Sequence, residues 1–180
     1  KKFNLPIIED FAHSFFLEDV RGIIGNVGEY VIYSFPKMFP IQIGGLLLSN
    51  SDSVLPESKF LNIEFERYIK NVLSYYIKEK DEIIKRRKEN YSFLLREFKK
   101  FGFTERFNTS DALVPGVFMF HCQSCSIDLV ELKRHFINNG IQCSVFYGEN
   151  TFFLPVNQSL SIQDFEYFVE VMKTFLKFES

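Results

Sequence analysis

Four side chains near the start of the chain are of types that carry out acid–base and nucleophilic chemistry. Asp10 follows a short apolar run, and His13 comes three residues later. Ser34 and Lys37 stand at the end of a second apolar run. A carboxylate and a primary amine at one sheet edge suit an enzyme that holds a protonated pyridine ring and a carbonyl group. The carboxylate keeps the ring nitrogen protonated, so that the ring accepts electrons, and the amine forms an imine and later moves protons.

Each of these side chains also has a purely structural interpretation, and spacing alone does not decide between the two. An aspartate after a strand is more often a cap or turn former, and a lone lysine is more often a surface residue. His13 equally suits a packed, hydrogen-bonded histidine, and Ser34 a cap at a strand end. Lys37 is the hardest to explain structurally, because it lies between Ser-Phe-Pro and the Gly44-Gly45 pair.

Three short strands are predicted to position these residues. They are the apolar run Leu5 to Ile8, the aromatic and β-branched run Tyr30 to Phe35, and the run Leu46 to Ser49. In open α/β sheets, ligands bind at the carboxyl ends of the strands, where Asp10 and Lys37 both lie. Three strands are too few for a complete sheet, so the sequence predicts an incomplete parallel sheet that begins in the middle of a domain.

The rest of the chain predicts helices and a second, smaller α/β unit. Apolar residues recur near the helical period from about residue 60 to 98, which favours one long helix or two. The expected organisation is a partial large domain (1–59), a connecting helix or helix pair (60–100) and a small α/β domain (101–180). Within the small domain we expect strands at 117–121, 141–146 and 152–155, and helices at 127–138 and 161–175.

Composition excludes several classes of protein. The 180 residues carry a net charge of −2, whereas a nucleic-acid-binding domain is typically basic. The basic run Lys85 to Lys88 is flanked by acids in a helical pattern and indicates a solvated face. No apolar stretch approaches the roughly 20 residues that a membrane span needs. Three cysteines argue against a disulfide framework, so a reducing compartment, the cytoplasm, is expected.

The pair Cys122-x-x-Cys125 is half of a zinc or redox motif. The other half would have to come from Cys143 with His135 or His121, without a second paired motif. A strand end and turn with incidental thiols is the preferred interpretation, and we predict no metal site. A zinc-binding interaction module remains the alternative.

Two segments resemble motifs of a known enzyme family. Residues 7–13, Ile-Ile-Glu-Asp-Phe-Ala-His, resemble the I-E-D-x-A-H motif of the DegT/StrS family of sugar aminotransferases. Residues 33–37, Tyr-Ser-Phe-Pro-Lys, followed by Gly44-Gly45, resemble that family's lysine motif. Weaker similarities continue to residue 164. The resemblance implies an α/β fold, namely the C-terminal half of a type I aminotransferase fold: the back part of the large parallel-sheet domain plus the small C-terminal α/β domain.

Carried over by position, the resemblance implies that the chain binds pyridoxal 5'-phosphate (PLP). Asp10 would pair with the pyridinium nitrogen, and His13 would lie near the ring and its phenolic oxygen. Ser34 would bond the phosphate, and Lys37 would be the Schiff-base lysine and proton shuttle. The implied activity is amino transfer to a nucleotide-linked keto sugar for cell-surface polysaccharide or related sugar synthesis. Glutamate would be the amino donor, and the partner would be a second copy in a homodimer or the missing N-terminal half, without nucleic-acid or membrane partners.

The chain departs from the family pattern in three places. Only Phe35 and Pro36 separate Ser34 from Lys37, where many members have more residues. Residues 49–52 lack the Asn-Tyr-Arg segment that many members carry after the glycine pair. The front half of the large domain, with its phosphate loop, is missing. We therefore expect a fragment of a longer protein or a split or degraded gene product, and the alternative is a non-catalytic remnant that serves binding or assembly.

Overall fold

A computed structural model describes residues 5–16, 25–50, 62–107, 113–121, 127–146 and 148–178. The chain divides into two compact units. The first unit comprises Lys1–Glu82 with Asp111–Val114, and the second comprises Ile83–Ser110 with Pro115–Ser180. The predicted domain boundary near residue 60 falls outside the described residues and stays a prediction.

The first unit contains a three-stranded sheet. Its strands are β1 (Ile8–Asp10), β2 (Tyr30–Ser34) and β3 (Gly45–Ser49), in the spatial order β1-β2-β3. Strands β1 and β2 are parallel, as predicted, but β2 and β3 are antiparallel. The reason is the short connection, residues 35–44, because a parallel crossover needs a dozen or more residues. The sheet is therefore mixed where an all-parallel one was expected.

Two strand boundaries differ from the predicted ones. Strand β1 begins at Ile8, not Leu5, so that Glu9 and Asp10 belong to the strand. Strand β2 ends at Ser34, because Phe35 begins a 3₁₀ turn with Pro36 at its start. Proline has no backbone N–H to donate to a neighbouring strand, and its fixed φ suits the first positions of a helical turn.

The predicted helical stretch consists of two α-helices. Helix α1 (Ile63–Tyr76) begins at the cap Asn62, whose side chain accepts a hydrogen bond from the N–H of Glu64. A 3₁₀ turn, Ile77–Glu79, separates it from α2 (Lys80–Lys99). Along α2 the buried residues recur every three or four positions, which defines one face of a helix: Ile83, Arg87, Tyr91, Leu94 and Phe98.

The second unit contains a four-stranded antiparallel sheet and two further helices. Its strands are β4 (Thr104–Glu105), β5 (Val117–His121), β6 (Ser144–Phe146) and β7 (Thr151–Pro155), in the order β4-β5-β7-β6. The helices are α3 (Leu129–Asn138) and α4 (Ile162–Phe178). No helix in the described ranges combines the length and apolar character needed to cross a membrane.

Phenylalanine dominates the core of the second unit. Buried rings from α2, β5, β7, α3 and α4 form one cluster with aliphatic side chains. Phe120 contacts four other rings, with centroid distances of 4.9–5.5 Å. The rings are mostly tilted or edge-on to one another, which is the favoured geometry for aromatic pairs. The 23 phenylalanines of a chain without tryptophan thus supply its bulky core residues.

Candidate active site

The register of β1 and β2 determines which side chains share a face of the first sheet. Asp10 pairs with Ile32, and the N–H of Phe11 donates to the carbonyl of Ile32 at 2.8 Å. Side chains alternate between the two faces of a sheet, and paired residues share a face. Ser34 is two residues beyond Ile32, so Asp10 and Ser34 lie on the same face. They are separated by one strand spacing of about 4.8 Å and roughly 7 Å along the strand.

Asp10 is held by its own turn. It is the last residue of β1 and is exposed. Its Oδ1 accepts a hydrogen bond of 2.9 Å from the N–H of Ala12, which is the local turn that aspartate commonly makes. This contact fixes the direction of the side chain at the carboxyl end of the strand. The carboxylate stays accessible to a ligand.

Lys37 lies at the end of the 3₁₀ turn that follows β2. Its side chain is exposed, while Phe35, Met38 and Phe39 of the same turn are buried. The N–H groups of Met38 and Phe39 donate to the carbonyl of Phe35 at 3.0 and 2.9 Å, and Phe35 N–H donates to Gly44 at 3.2 Å. A buried, hydrogen-bonded turn thus carries Lys37 three residues beyond Ser34, the last residue of β2.

The glycine pair Gly44-Gly45 is required by close packing. Gly44 has a φ of +99°, and a Cβ there would lie 2.8 Å from Cδ1 of Ile69 and 3.2 Å from the ring of Phe35. At Gly45 a Cβ would lie 2.4 Å from the carbonyl oxygen of Tyr33. No other residue fits at Gly45 without moving β3 away from β2. The two glycines therefore allow the start of β3 to lie close to β2 and to the turn that carries Lys37.

His13 lies in the turn directly after Asp10 and is exposed. The turn is closed by a hydrogen bond of 3.1 Å from the N–H of Ser14 to the carbonyl of Phe11. The histidine is thus at the same end of β1 as Asp10. Its contact with a bound ring stays a prediction, as do the roles of Asp10, Ser34 and Lys37.

Sequence reasoning missed the part played by Glu9. The sequence indicates only an acid beside Asp10 at the end of the strand, whereas in the structure the carboxylate of Glu9 accepts three backbone hydrogen bonds from residues 25–28. These bonds lower the pKa of Glu9, with the N–H of Gly28 the largest cause. The signal that could have found it is an acid in a strand followed by the closely spaced glycines Gly25 and Gly28.

The cysteine pair that suggested a zinc site, Cys122 and Cys125, lies outside the described residues. Cys143 is half-buried, and burial raises its pKa to about 11. A raised pKa leaves little thiolate at neutral pH, so this thiol is a poor nucleophile and metal ligand. Within the described ranges no three His, Cys, Asp or Glu side chains are grouped so as to hold a metal ion.

No protein-family model and no curated protein matches the sequence, but solved structures match the fold. A DegT DnrJ EryC1 StrS aminotransferase from Brucella abortus is similar with a TM-score of 0.69 at 17% identity, over 95% of this chain and 57% of that one. A NifS-like protein from Rickettsia africae has a TM-score of 0.71 at 14% identity, over 98% and 55%. The Escherichia coli GDP-4-keto-6-deoxy-D-mannose-3-dehydratase with bound hydrated PLP has a TM-score of 0.65 at 14% identity, over 94% and 60%.

These likenesses, at such low identity, show the fold alone. The predicted fold, part of a type I aminotransferase fold, is confirmed, and so is the structural resemblance to DegT/StrS aminotransferases. The chain spans between 55% and 60% of the length of these three structures. Their activities and ligands belong to those proteins.

Proposed function

We propose that the chain forms the C-terminal half of a PLP-dependent sugar aminotransferase, with Lys37 as the residue that holds the cofactor covalently. The observation that carries the proposal is the register of β1 against β2. It puts Asp10 and Ser34 on one face of the sheet, and the turn that carries Lys37 begins directly after Ser34. The solved structures that share this fold include a DegT DnrJ EryC1 StrS aminotransferase and a dehydratase with bound hydrated PLP.

The donor set fits the chemical groups of PLP. Its ring nitrogen needs a carboxylate, its phosphate needs hydrogen-bond donors, and its carbonyl carbon needs an amine. Asp10, Ser34 and Lys37 supply one of each, and Asp10 and Lys37 are exposed. His13 would lie beside the ring. When bound, PLP withdraws electrons from the substrate carbon that carries the amino group.

Each residue then has a separate task. The carboxylate of Asp10 holds a proton on the ring nitrogen by charge and hydrogen bonding. The hydroxyl of Ser34 donates a hydrogen bond to a phosphate oxygen. The amine of Lys37 would hold the carbonyl carbon of the cofactor and, when free, would accept and return the proton that moves during amino transfer. The rigid turn under Lys37 limits the positions that its Nζ can reach.

The substrates follow from the resemblance and stay at the level of a proposal. The acceptor is a nucleotide-linked keto sugar and the donor is glutamate.

A homodimer is the proposed assembly. Apolar side chains exposed on the first sheet support association, because exposed apolar patches of several hundred Å² mark interaction surfaces: Ile8, Ile32, Leu46, Leu47 and Leu48. Sedimentation of the purified chain tests this, and a monomer at high concentration would contradict it.

A cofactor titration tests the proposal. Adding PLP up to millimolar concentrations should change its absorbance on binding. The Ser34→Ala variant should weaken binding by about 10- to 150-fold, the loss of one charge-assisted hydrogen bond of 1.5–3 kcal/mol. The Asp10→Asn variant should weaken it too, while Asp81→Asn, a matched change at an exposed position on α2, should not.

Two outcomes would contradict the proposal. One is the absence of binding by the unaltered chain, which would favour the alternative of a non-catalytic remnant. The other is equal binding by the unaltered chain and by Asp10→Asn, which would mean that the cofactor binds elsewhere.

A further inference from the structure

The side chain of Glu9 accepts hydrogen bonds from the loop of residues 25–28, which begins and ends with glycine. Its Oε1 accepts hydrogen bonds from the N–H groups of Val27, at 3.0 Å, and Gly28, at 2.7 Å. Its Oε2 accepts one from Gly25 at 2.9 Å. Three backbone donors converge on one carboxylate, an arrangement that stabilises the ionised form. The negative charge also acts on Tyr33, whose pKa is raised first by burial and second by Glu9.

The loop that donates to Glu9 is also held from its other side. The side chain of Asn50, just after β3, donates to the carbonyls of Gly25, at 2.6 Å, and Gly28, at 3.1 Å. There is no room for a side chain at Gly28, where a Cβ would lie 2.9 Å from the carbonyl of Ile7 and 3.1 Å from Cγ of Glu9. The loop therefore lies directly on β1. Residues of all three strand regions are connected through it.

Strand β1 has only three residues, and among the described strands it pairs with β2 alone. Besides this pairing and Glu9, two hydrogen bonds before the strand support its register: the N–H of Ile7 donates to the carboxylate of Glu29 at 2.6 Å, and the N–H of Tyr30 donates to the carbonyl of Ile7 at 3.3 Å. A slip of one residue in a strand exchanges the two faces of every side chain. Such a slip would turn Asp10 away from the face of Ser34. Glu9 lies on the opposite face, and its three hydrogen bonds can form only in the observed register.

We propose that Glu9 is a positioning residue that holds Asp10 on the face of the sheet where Ser34 lies. The proposal rests on the proposed function in one respect, namely that Asp10 faces the cofactor nitrogen. Glu9 itself touches neither cofactor nor substrate. It acts by fixing the register of β1 through its hydrogen bonds with the loop of residues 25–28.

The test compares PLP with its analogue in which the ring nitrogen is replaced by C–H. Asp10 stabilises only the nitrogen-containing ring, so the ratio of the two dissociation constants reports on Asp10 alone. The unaltered chain should prefer PLP, and Asp10→Asn should abolish the preference. Glu9→Gln removes the charge and one acceptor, and should reduce the preference by about tenfold or more, the loss expected when a hydrogen bond to a charged group is misplaced. Glu66→Gln, which removes a charge from the exposed ion pair of α1, should leave the preference unchanged.

A second measurement needs no cofactor. The N–H of Phe11 donates to Ile32 only in the observed register, so its hydrogen exchange should be at least about tenfold faster in Glu9→Gln than in Glu66→Gln. Unchanged exchange would overturn the proposal, whether or not PLP binds.

The outcomes separate this inference from the proposed function. If the unaltered chain does not distinguish PLP from the analogue, the proposed role of Asp10 fails, and with it the positioning role. If the unaltered chain and Glu9→Gln distinguish them equally, only the positioning role fails. An equal loss of affinity for both ligands in Glu9→Gln would show a general structural role and would also overturn the inference.

Discussion

Different interactions stabilise the interiors of the two units. Among its described residues, the second unit has a cluster of twenty buried side chains from three helices, the sheet and the adjoining loops. The described part of the first unit has fewer buried apolar residues, and all but two belong to the segment that follows β2: Phe35, Met38, Phe39 and Ile41, with Val31 and Val114 besides. Helix α1 buries none of its residues. The first unit also depends on the hydrogen bonds that Glu9 accepts and Asn50 donates, and on the close contacts at Gly44-Gly45.

The second unit therefore contributes most to the stability of the fold, and the first unit holds the candidate site. Burial of large rings, which gives about 1.5–3 kcal/mol per residue, is more extensive in the second unit, although Phe35 and Phe39 are also buried in the first. The candidate catalytic residues belong to the first, where polar contacts and glycine sterics set the geometry. Substitutions in the second unit should therefore change stability, and those in the first should change ligand binding or local order.

The largest expected effect is on the phenylalanine core. Phe120, 1% exposed, contacts four other rings, and Phe120→Ala should lower the free energy of unfolding by about 3–5 kcal/mol. Phe107→Ala, a matched change at a side chain 54% exposed, should cost less than about 1 kcal/mol, which is its cation–π contact with Arg106. Urea unfolding measures both. Equal losses would mean that the core has been located wrongly.

A smaller and more local effect is expected at Gly45. The added methyl group of Gly45→Ala meets the backbone of Tyr33, so the opening free energy of the β2–β3 hairpin should fall by about 1–3 kcal/mol, the usual cost of overpacking. Hydrogen exchange of the hairpin amides measures it. The control is Gly148→Ala, which has a φ of +91° but open space around it and should leave that exchange unchanged. Unperturbed exchange in Gly45→Ala would contradict the close approach of the two strands.

The smallest difference concerns two helix caps of the same kind. Asp128 accepts hydrogen bonds from the N–H groups of Val130 and Glu131 in α3, and Asp128→Ala should lower the free energy of unfolding by about 1 kcal/mol. Asn62→Ala removes the cap of α1, which buries no residue, and should only speed the exchange of the Glu64 amide. Equal losses of global stability would show that α1 is as firmly integrated as α3.

The sequence predicted the longer elements of the second unit because their signals are local, but it missed β4, and β6 begins at Ser144 instead of residue 141. Helix α3 was predicted at 127–138 with Gly140 after its end, and the structure has it at Leu129–Asn138. Strand β5 was predicted with its observed bounds, Val117–His121. The apolar period of residues 60–98 also predicted helix, but not the 3₁₀ turn at Ile77–Glu79, since no glycine or proline marks it.

The first unit was harder to predict because its geometry depends on contacts that are distant in sequence. Strand β1 was placed at Leu5 to Ile8 since apolarity was the only local signal, whereas pairing with β2 moves it to Ile8–Asp10. The antiparallel direction of β3 follows from the length of a connection, and the role of Glu9 from a loop 16–19 residues away. Residue type and position singled out Asp10, His13, Ser34 and Lys37, and motif resemblance assigned their roles. The register that brings Asp10 and Ser34 to one face was not visible in the sequence.

The most direct test of the central claim is to find which lysine holds the cofactor. The chain is incubated with PLP, reduced with borohydride and mapped by peptide mass spectrometry. We predict a pyridoxyl group on Lys37, and none on the exposed Lys70 of the same unit. The Lys37→Arg variant should stay unlabelled and unfold at the same urea concentration, since this side chain is exposed. A label on another lysine, or equal labelling of the Lys37→Arg variant, would contradict the account.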